Sequence, residues 1–520
     1  MTATTEPGPP PPIPGRTGRQ GPQRDGAGTA VADAAAAGAP GTDPAPVRAK
    51  PGRLAWAVVL VVLGADVMDL LDSTIVNVGA PSIARDLHAS GTNLQWIIAG
   101  YTLAMAAILI TGGRLGDLYG RRRMFLIGVA AFTVCSALSS AAQSPHELIA
   151  ARALQGLSAG IMLPQGLSII RSVFPREQAG AAMGIFGPVM GIAATLGPIV
   201  GGALVQADLF GSHWRSIFWV NVPLGLLALV LAVRVIPEDQ GHGEDVPTLD
   251  VLGMLLSGAG MLLLVYPLIQ GREDNWPAYM YVLMGASVPV FAAFGLQQRA
   301  RQRQNRTPLV TPSLFAKRAF TGGLFFGVFF FSGMGALFLV LMLHVQLALG
   351  YTSLHAGLTG LPFSLGAAIG AGLGGGLLAP RYGRKVLMAG VVMMAAGLGG
   401  VAWTISHYGQ AMTTWNLVPA FTFCGLGLGL LITTFFGMVV SAVDEHETGS
   451  AGGVINALQQ LANSLGVALF GTLYFNSLQD GHSSVTAASD SLWYAALAVL
   501  VCIPLGFLLP KYLRPGVEEL

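Results

Sequence analysis

Charge is scarce in this chain. Only 10% of its 520 residues are Asp, Glu, Lys or Arg, against 53% hydrophobic, whereas a soluble protein carries about 25% charged residues. That shortage excludes a water-exposed globule. Cysteine is nearly missing as well. Cys135, Cys424 and Cys502 are three in number, far apart, each inside an apolar run, with no CxxC spacing. They supply no disulfide framework and read as small core residues. The nine histidines show no metal-ligand spacing, and no Gly-rich loop ends in Gly-Lys-Ser or Gly-Lys-Thr. A metal centre and a nucleotide phosphate site of that kind are therefore not expected. The formal net charge is +2, and nothing in it calls for a nucleic-acid partner.

What the chain does have is apolar length. Fourteen segments, from 54–78 near the start to 490–510 near the end, are long and apolar enough to cross a bilayer. Without water in the hydrocarbon layer only helices or closed barrels span it, and continuous apolar runs exclude an alternating barrel. The expected fold is an all-α polytopic membrane protein in contact with lipid. Residues 1–50 hold ten Pro and eight Gly, which marks a disordered tail, and they contain no apolar signal-peptide core. An even number of spans puts both termini on one side. Of the 28 Lys and Arg, 24 then fall on the side of the termini, three (Arg85, Arg215, Arg272) on the other, and Arg152 lies inside the fourth segment. This bias predicts cytoplasmic termini. Asp444-Glu-His-Glu447, in an inner loop, reads as a charged helix start.

The first span, around Ala65-Asp-Val-Met-Asp-Leu-Leu-Asp72 and on to Pro81, carries Asp66, Asp69 and Asp72. Each acid costs about 2.5–3.5 kcal/mol at the centre of a spanning helix. At about 100° per residue the three form a stripe roughly 120° wide, which must face other helices or a water-filled path. Like charges one turn apart do not all ionise cheaply, so this helix can hold a proton. Asp72 lies nine residues before Pro81, and Arg152 lies a turn or two inside segment four. Both depths come to roughly 10–13 Å below the outer boundary. An Asp72–Arg152 pair is the expectation.

An internal repeat organises the rest. Gly113-Arg-Leu-Gly-Asp-Leu-Tyr-Gly-Arg-Arg-Arg123 joins segments two and three, and Gly376-Leu-Leu-Ala-Pro-Arg-Tyr-Gly-Arg-Lys-Val386 joins segments ten and eleven, 263 residues later. Repeats at matching points of two halves mark secondary transporters. The division expected is a tail (1–50), a six-helix half (51–237), an inserted helix pair (238–298) and a second six-helix half (299–515). Gly113, Gly116 and Gly120 suit a tight turn, and Asp117 can serve as an electrostatic latch beside Arg121 and Arg122, with Pro380 in its place in the second copy. In segment five Gly184, Gly187, Gly191, Ala194, Gly197 and Gly201 recur every three or four residues, beside Pro198 and Gly202. That smooth face suits close helix packing or a rocking surface. Asn77, Gln95, Trp96, Tyr101, Gln165 and Asn221 are polar or aromatic groups within or at the ends of spans, open to reading as helix–helix bonds or substrate contacts. Asn456, Gln459, Gln460 and Asn463 add to these in segment thirteen.

These motifs together resemble the fourteen-helix drug:proton antiporters of the major facilitator superfamily, over about residues 54–510. Leu71-Asp-Ser-Thr-Ile-Val-Asn-Val-Gly-Ala-Pro81 is similar to that family's first-helix motif, and Gly113–Arg123 to its loop motif. Arg152-Ala-Leu-Gln-Gly156 resembles the fourth-helix motif, Gly197-Pro-Ile-Val-Gly-Gly202 the fifth-helix motif associated with export, and Trp214–Pro223 the entry to helix six. Gly79-Ala80 and the extra acids Asp66 and Asp69 depart from the pattern. The resemblance implies a monomeric proton-coupled exporter of hydrophobic or cationic compounds, drugs or antibiotics, and not an enzyme. It would use no cofactor beyond the proton gradient. Asp72, Asp69, Asp66 and Arg152 would handle protons. Asn77, Gln95, Trp96, Tyr101, Gln155 and Gln165 are the candidates for touching substrate, and Gly113, Asp117, Gly120, Arg121, Arg122, Gly197, Pro198, Gly201 and Gly202 for governing the conformational change. The rival readings are a proton-coupled importer or exporter of one metabolite and, less well matched, a membrane-embedded sensor or enzyme.

Overall fold

A computed structural model describes residues 53–174, 179–208, 211–238, 249–271, 273–304, 306–444 and 447–512. The tail 1–50, together with Glu445 and His446 of the charged helix start, lies outside them. Inner and outer below follow the Lys and Arg bias: the inner end carries Arg114–Arg123.

The chain is a succession of long helices. In the first half they are α1 (Arg53–Asp86), α2 (Gly91–Tyr119), α3 (Arg121–Ala141), α4 (Pro145–Val173), α5 (Ala179–Ala207) and α6 (Asn221–Val235). A pair follows, α7 (Val251–Gln270) and α8 (Ala278–Arg303). The second half holds α9 (Arg318–Leu343), α10 (Ser353–Leu373, with a joint at Gly360), α11 (Arg384–Tyr408), α12 (Thr414–Ser441), α13 (Thr448–Gln479) and α14 (Ser484–Leu500). Twelve stretches among the described residues are long and apolar enough to cross a membrane. The fifth and thirteenth expected spans are helices too, of 29 and 32 residues. Helix α13 is diluted by Asn456, Gln459, Gln460 and Asn463, and in α5 the stretch counted as apolar is the shorter Leu196–Ala207.

Two helix ends differ from the expectation. Helix α1 does not stop near Val78. It runs through Pro81 to Asp86, because a proline costs one backbone hydrogen bond and packed neighbours tolerate that within a span. The Gly113–Arg123 stretch is not a loop. Helix α2 continues to Tyr119, Gly120 alone breaks it at φ 94°, and α3 starts at Arg121. In the repeat copy Gly383 makes the same one-residue break at φ 50°. Positive φ is a region in which a side chain is strained, so both copies need glycine there.

The two halves also repeat their tightest packing. A Cβ added to Gly112 would sit 2.0 Å from the Gly160 carbonyl oxygen, and one on Gly156 would sit 2.2 Å from that of Tyr101, so α2 and α4 touch backbone to backbone. In the second half Gly366, Gly370, Gly425 and Gly429 bring α10 and α12 equally close. Small residues allow such contact where no hydrophobic effect drives helices together. The α7–α8 pair leans on α2 and α13, with the Thr472 hydroxyl donating to the Leu268 carbonyl at 2.9 Å. Asp250 caps α7 through the Gly253 amide (2.9 Å) and accepts from Gln297 and Gln298, both at 2.7 Å, which ties the inner ends of the pair.

Between the halves, α2 lies along α13, and α5 meets α10 near the outer ends. Gln346 donates to the Val78 carbonyl at 3.0 Å, and Gly202 and Gly357 press α5 against the start of α10. At the inner end Lys317 binds Asp444 (2.9 Å) and Glu447 (2.7 Å), and the Ser313 hydroxyl also bonds Glu447. The Lys317 ammonium and the Ser313 hydroxyl hold the Glu447 carboxyl below its ordinary range.

Two outcomes follow. Gly112→Ala should lower the melting temperature in detergent, at a cost of about 1–3 kcal/mol from overpacking. Gly113→Ala, whose Cβ meets nothing nearer than 3.7 Å, should leave it unchanged; equal melting of the two variants contradicts the packing account. Glu447 has a lowered folded-state pKa, so its contribution is present above the unfolded carboxyl value and is lost as pH falls through the folded one. Wild type should therefore lose more stability than Glu447→Gln between pH 6 and pH 3, and parallel pH curves would count against the tie.

Candidate functional site

The site is built where α1, α3, α4 and α6 meet. Asp72 and Arg152 are each 1% exposed and form an ion pair through Oδ2 and Nη1. Polar groups of α2, α4 and α6 bond to the two charges directly. Asn221 Nδ2 donates to Asp72 Oδ1 at 2.7 Å, and Gln155 Nε2 donates to the same oxygen at 3.0 Å. Both amides also donate to Ser136 Oγ, at 3.0 and 3.3 Å, and that hydroxyl donates to the Phe218 carbonyl at 3.1 Å. Arg152 gives Nη1 to Gln155 Oε1 at 2.8 Å and Nε to the Ile97 carbonyl at 3.4 Å. Its guanidinium lies 4.1 Å above the Tyr101 ring and 5.5 Å from that of Phe218. A desolvated cation–π contact of this kind contributes about 2 kcal/mol. Removing one partner of a buried pair costs about 3–5 kcal/mol, because the other charge is left uncompensated.

The other two acids of α1 differ from Asp72 and from each other. Asp69 is partly exposed and accepts the Tyr101 hydroxyl. Asp66 is 4% exposed, and its Oδ1 has no hydrogen-bond partner. Both its oxygens lie 3.8 Å from where a side chain on Gly166 would begin. A buried charge with a bare oxygen is costly, and a proton on that oxygen removes the charge.

The remaining candidates spread over several places. Gln155 and Tyr101 belong to the ion-pair network. Asn77 donates to Ser73 of its own helix at 3.3 Å. Gln95 is fully buried and donates to the Val467 and Ala468 carbonyls of α13, both at 3.2 Å, and to Thr472 Oγ1 at 3.4 Å. Gln165, 1% exposed, donates to the Gly112 carbonyl at 2.6 Å and to Ile161 at 2.9 Å. In this conformation both amides serve helix packing, as buried amides in spans commonly do. Trp96 packs against Tyr266 of α7, centroids 6.0 Å apart.

At the inner turn Asp117 meets Arg121 at 3.2 Å and Arg114 at 3.9 Å, all within its own half. A pair this exposed contributes at most about 1 kcal/mol. Arg122 ties α3 to the end of α6 through Glu238 (2.9 Å) and the Val233 carbonyl (2.7 Å). Gly116 gives room to Gln165, whereas a Cβ on Gly113 would make only an ordinary contact with Pro164 at 3.7 Å. In α5 Gly197 faces Thr74 and Gly201 faces Ile75 of α1, while the Pro198 carbonyl lies 2.2 Å from the Cβ position of Gly357. The surroundings of Gly184, Gly187 and Gly191 lie outside the described side chains.

Ser136 is the site residue that the sequence reading missed. The only trace of it is that Thr133, Ser136 and Ser140 recur at three and four residues along α3. The string Gly156-Leu-Ser-Ala-Gly160 has the letters of a hydrolase elbow, but it lies within α4. The Ser158 hydroxyl is spent on the Leu154 carbonyl at 2.8 Å, and no strand precedes it, as an elbow requires.

The Major Facilitator Superfamily profile matches residues 62–467. The chain is 44% identical over 451 residues to a probable actinorhodin transporter of Streptomyces coelicolor, covering 87% of this chain and 77% of that protein. It is 34% identical over 430 residues to the tetracenomycin C resistance and export protein of Streptomyces glaucescens, covering 82% and 77%. Among solved structures, the POT family transporter PepTSo superposes with TM-score 0.65 at 14% identity, over 86% of this chain and 97% of that one.

Arg152→Gln should lower thermal stability by about 3–5 kcal/mol. Asp72→Asn together with Arg152→Gln should recover part of that loss, because neither variant side chain is charged. A double variant less stable than Arg152→Gln alone would contradict a pair held by mutual compensation.

Proposed function

Because the chain belongs to the Major Facilitator Superfamily, a family of multi-pass membrane transporters, we propose that it exports small hydrophobic or cationic molecules, antibiotics among them, in exchange for protons. The observation that carries this reading is the buried Asp72–Arg152 pair on a helix that holds two further acids, one of them with an unpartnered oxygen. One relative is described as a probable actinorhodin transporter and the other as a tetracenomycin C resistance and export protein, and the second supports outward transport over import.

Protons reach the α1 acids from outside and leave to the inside. A proton on Asp72 cancels its charge and leaves Arg152 with Gln155, the Ile97 carbonyl and two ring faces. The pair then no longer ties α4 to α1. The glycine face of α5, set against α1 and α10, is the surface on which the halves rock. Substrate and proton compete for the same acids, so each binds best after the other has left. One charge crossing 100 mV supplies about 2.3 kcal/mol, which stands in for a nucleotide or other cofactor. The protein works as a monomer with both termini cytoplasmic.

The test is accumulation of ethidium, actinorhodin and tetracenomycin C in an efflux-deficient host. Cells making the protein should hold less of at least one compound, an uncoupler should abolish the difference, and Asp72→Asn should abolish it while membrane expression persists. Export that survives the uncoupler, or that Asp72→Asn leaves intact, overturns the reading.

A further inference from the structure

We propose that Tyr101 is a positioning residue that couples Asp69 to the Asp72–Arg152 pair, rather than a substrate contact. The inference rests on the proton-exchange reading above. Tyr101 touches both parties at once. Its hydroxyl donates to Asp69 Oδ1, and its ring face carries the Arg152 guanidinium at 4.1 Å. The side chain is 1% exposed, so it has no free face to offer a substrate. Its place is fixed from behind: a Cβ on Gly156 would lie 2.2 Å from the Tyr101 carbonyl oxygen, so α2 presses on α4 at this residue. Met68, Met105, Phe132, Ala159 and Ala457 close around it with apolar groups. The charged and titratable groups facing Tyr101 and Asp69 are therefore Asp66 and Asp72 from α1 and Arg152 from α4.

The coupling follows from which contact each end of the ring makes. While Asp69 is a carboxylate, the hydroxyl is held by a charged acceptor, a stronger bond than a neutral one. The ring is then pinned flat beneath Arg152, and Arg152 is kept on Asp72. A proton from outer water that settles on Asp69 weakens that bond. The ring is freed, and Arg152 loses one of the contacts that hold it on Asp72. When the proton passes to inner water, the bond and the pinned ring return. Tyr101 neither gains nor loses a proton in this sequence.

The experiment uses the whole protein in liposomes, with ethidium as probe and the exchange rate measured as a function of pH. Tyr101→Phe keeps the ring under Arg152 and removes only the hydroxyl. Ethidium affinity should stay within about twofold of wild type, while the pH profile of exchange is displaced. In an Asp69→Asn background the same substitution should displace it no further, since interacting residues are not additive. A Tyr101→Phe profile that superimposes on wild type overturns the proposal. So does an equal displacement in both backgrounds, which would mean that Tyr101 acts independently of Asp69. If Tyr101→Phe does not fold, Asp69→Asn alone, with the tyrosine intact, should show the displaced profile, and a wild-type profile there overturns the proposal. Failure of the exporter reading is separate and is seen in wild type itself, as ethidium exchange indifferent to the pH gradient.

Discussion

The structure depends on one ion pair held away from water. Asp72 and Arg152 sit inside a half-bundle that offers no solvent to either charge. Desolvating two ions costs several kcal/mol each, and only good geometry with every remaining hydrogen-bond position filled offsets it. That requirement explains the residues around the pair. Asn221 and Gln155 are amides in apolar helices that donate to Asp72, and Ser136 accepts from both of them. In the exporter reading proposed above, one proton on Asp72 would change the charge count of a network almost closed to solvent.

Around this fixed point the fold supplies smooth surfaces. The α2–α4 and α10–α12 contacts are backbone to backbone, which joins each of these helix pairs closely. Gly197 and Gly201 face α1, and Gly202 faces the start of α10. The α7–α8 pair is tied at its inner ends by Asp250 and rests on α2 and α13.

Much of this was legible in the sequence, and the physical reasons for the misses differ. The spans were legible because lipid demands long apolar helices. The Asp72–Arg152 contact was legible because depth can be counted along two helices from their outer ends. The repeat was legible at Gly120 and Gly383, where positive φ demands glycine in both copies. Helix ends were not, because Pro81 and the Gly113–Tyr119 segment carry turn-type residues that neighbouring helices hold in helical form. Ser136 was invisible because one serine in an apolar helix is common. Gln95 and Gln165 carried a correct signal, polarity in a span, but the sequence does not distinguish an amide that packs helices from one that faces a cavity.

The most direct measurement of the central claim is proton release on ethidium binding, followed with a pH-indicator dye in lightly buffered detergent. If substrate and proton share the network centred on Asp72, wild type releases protons when ethidium binds and Asp72→Asn releases fewer. Equal release by the two proteins, with equal ethidium binding, would contradict the account.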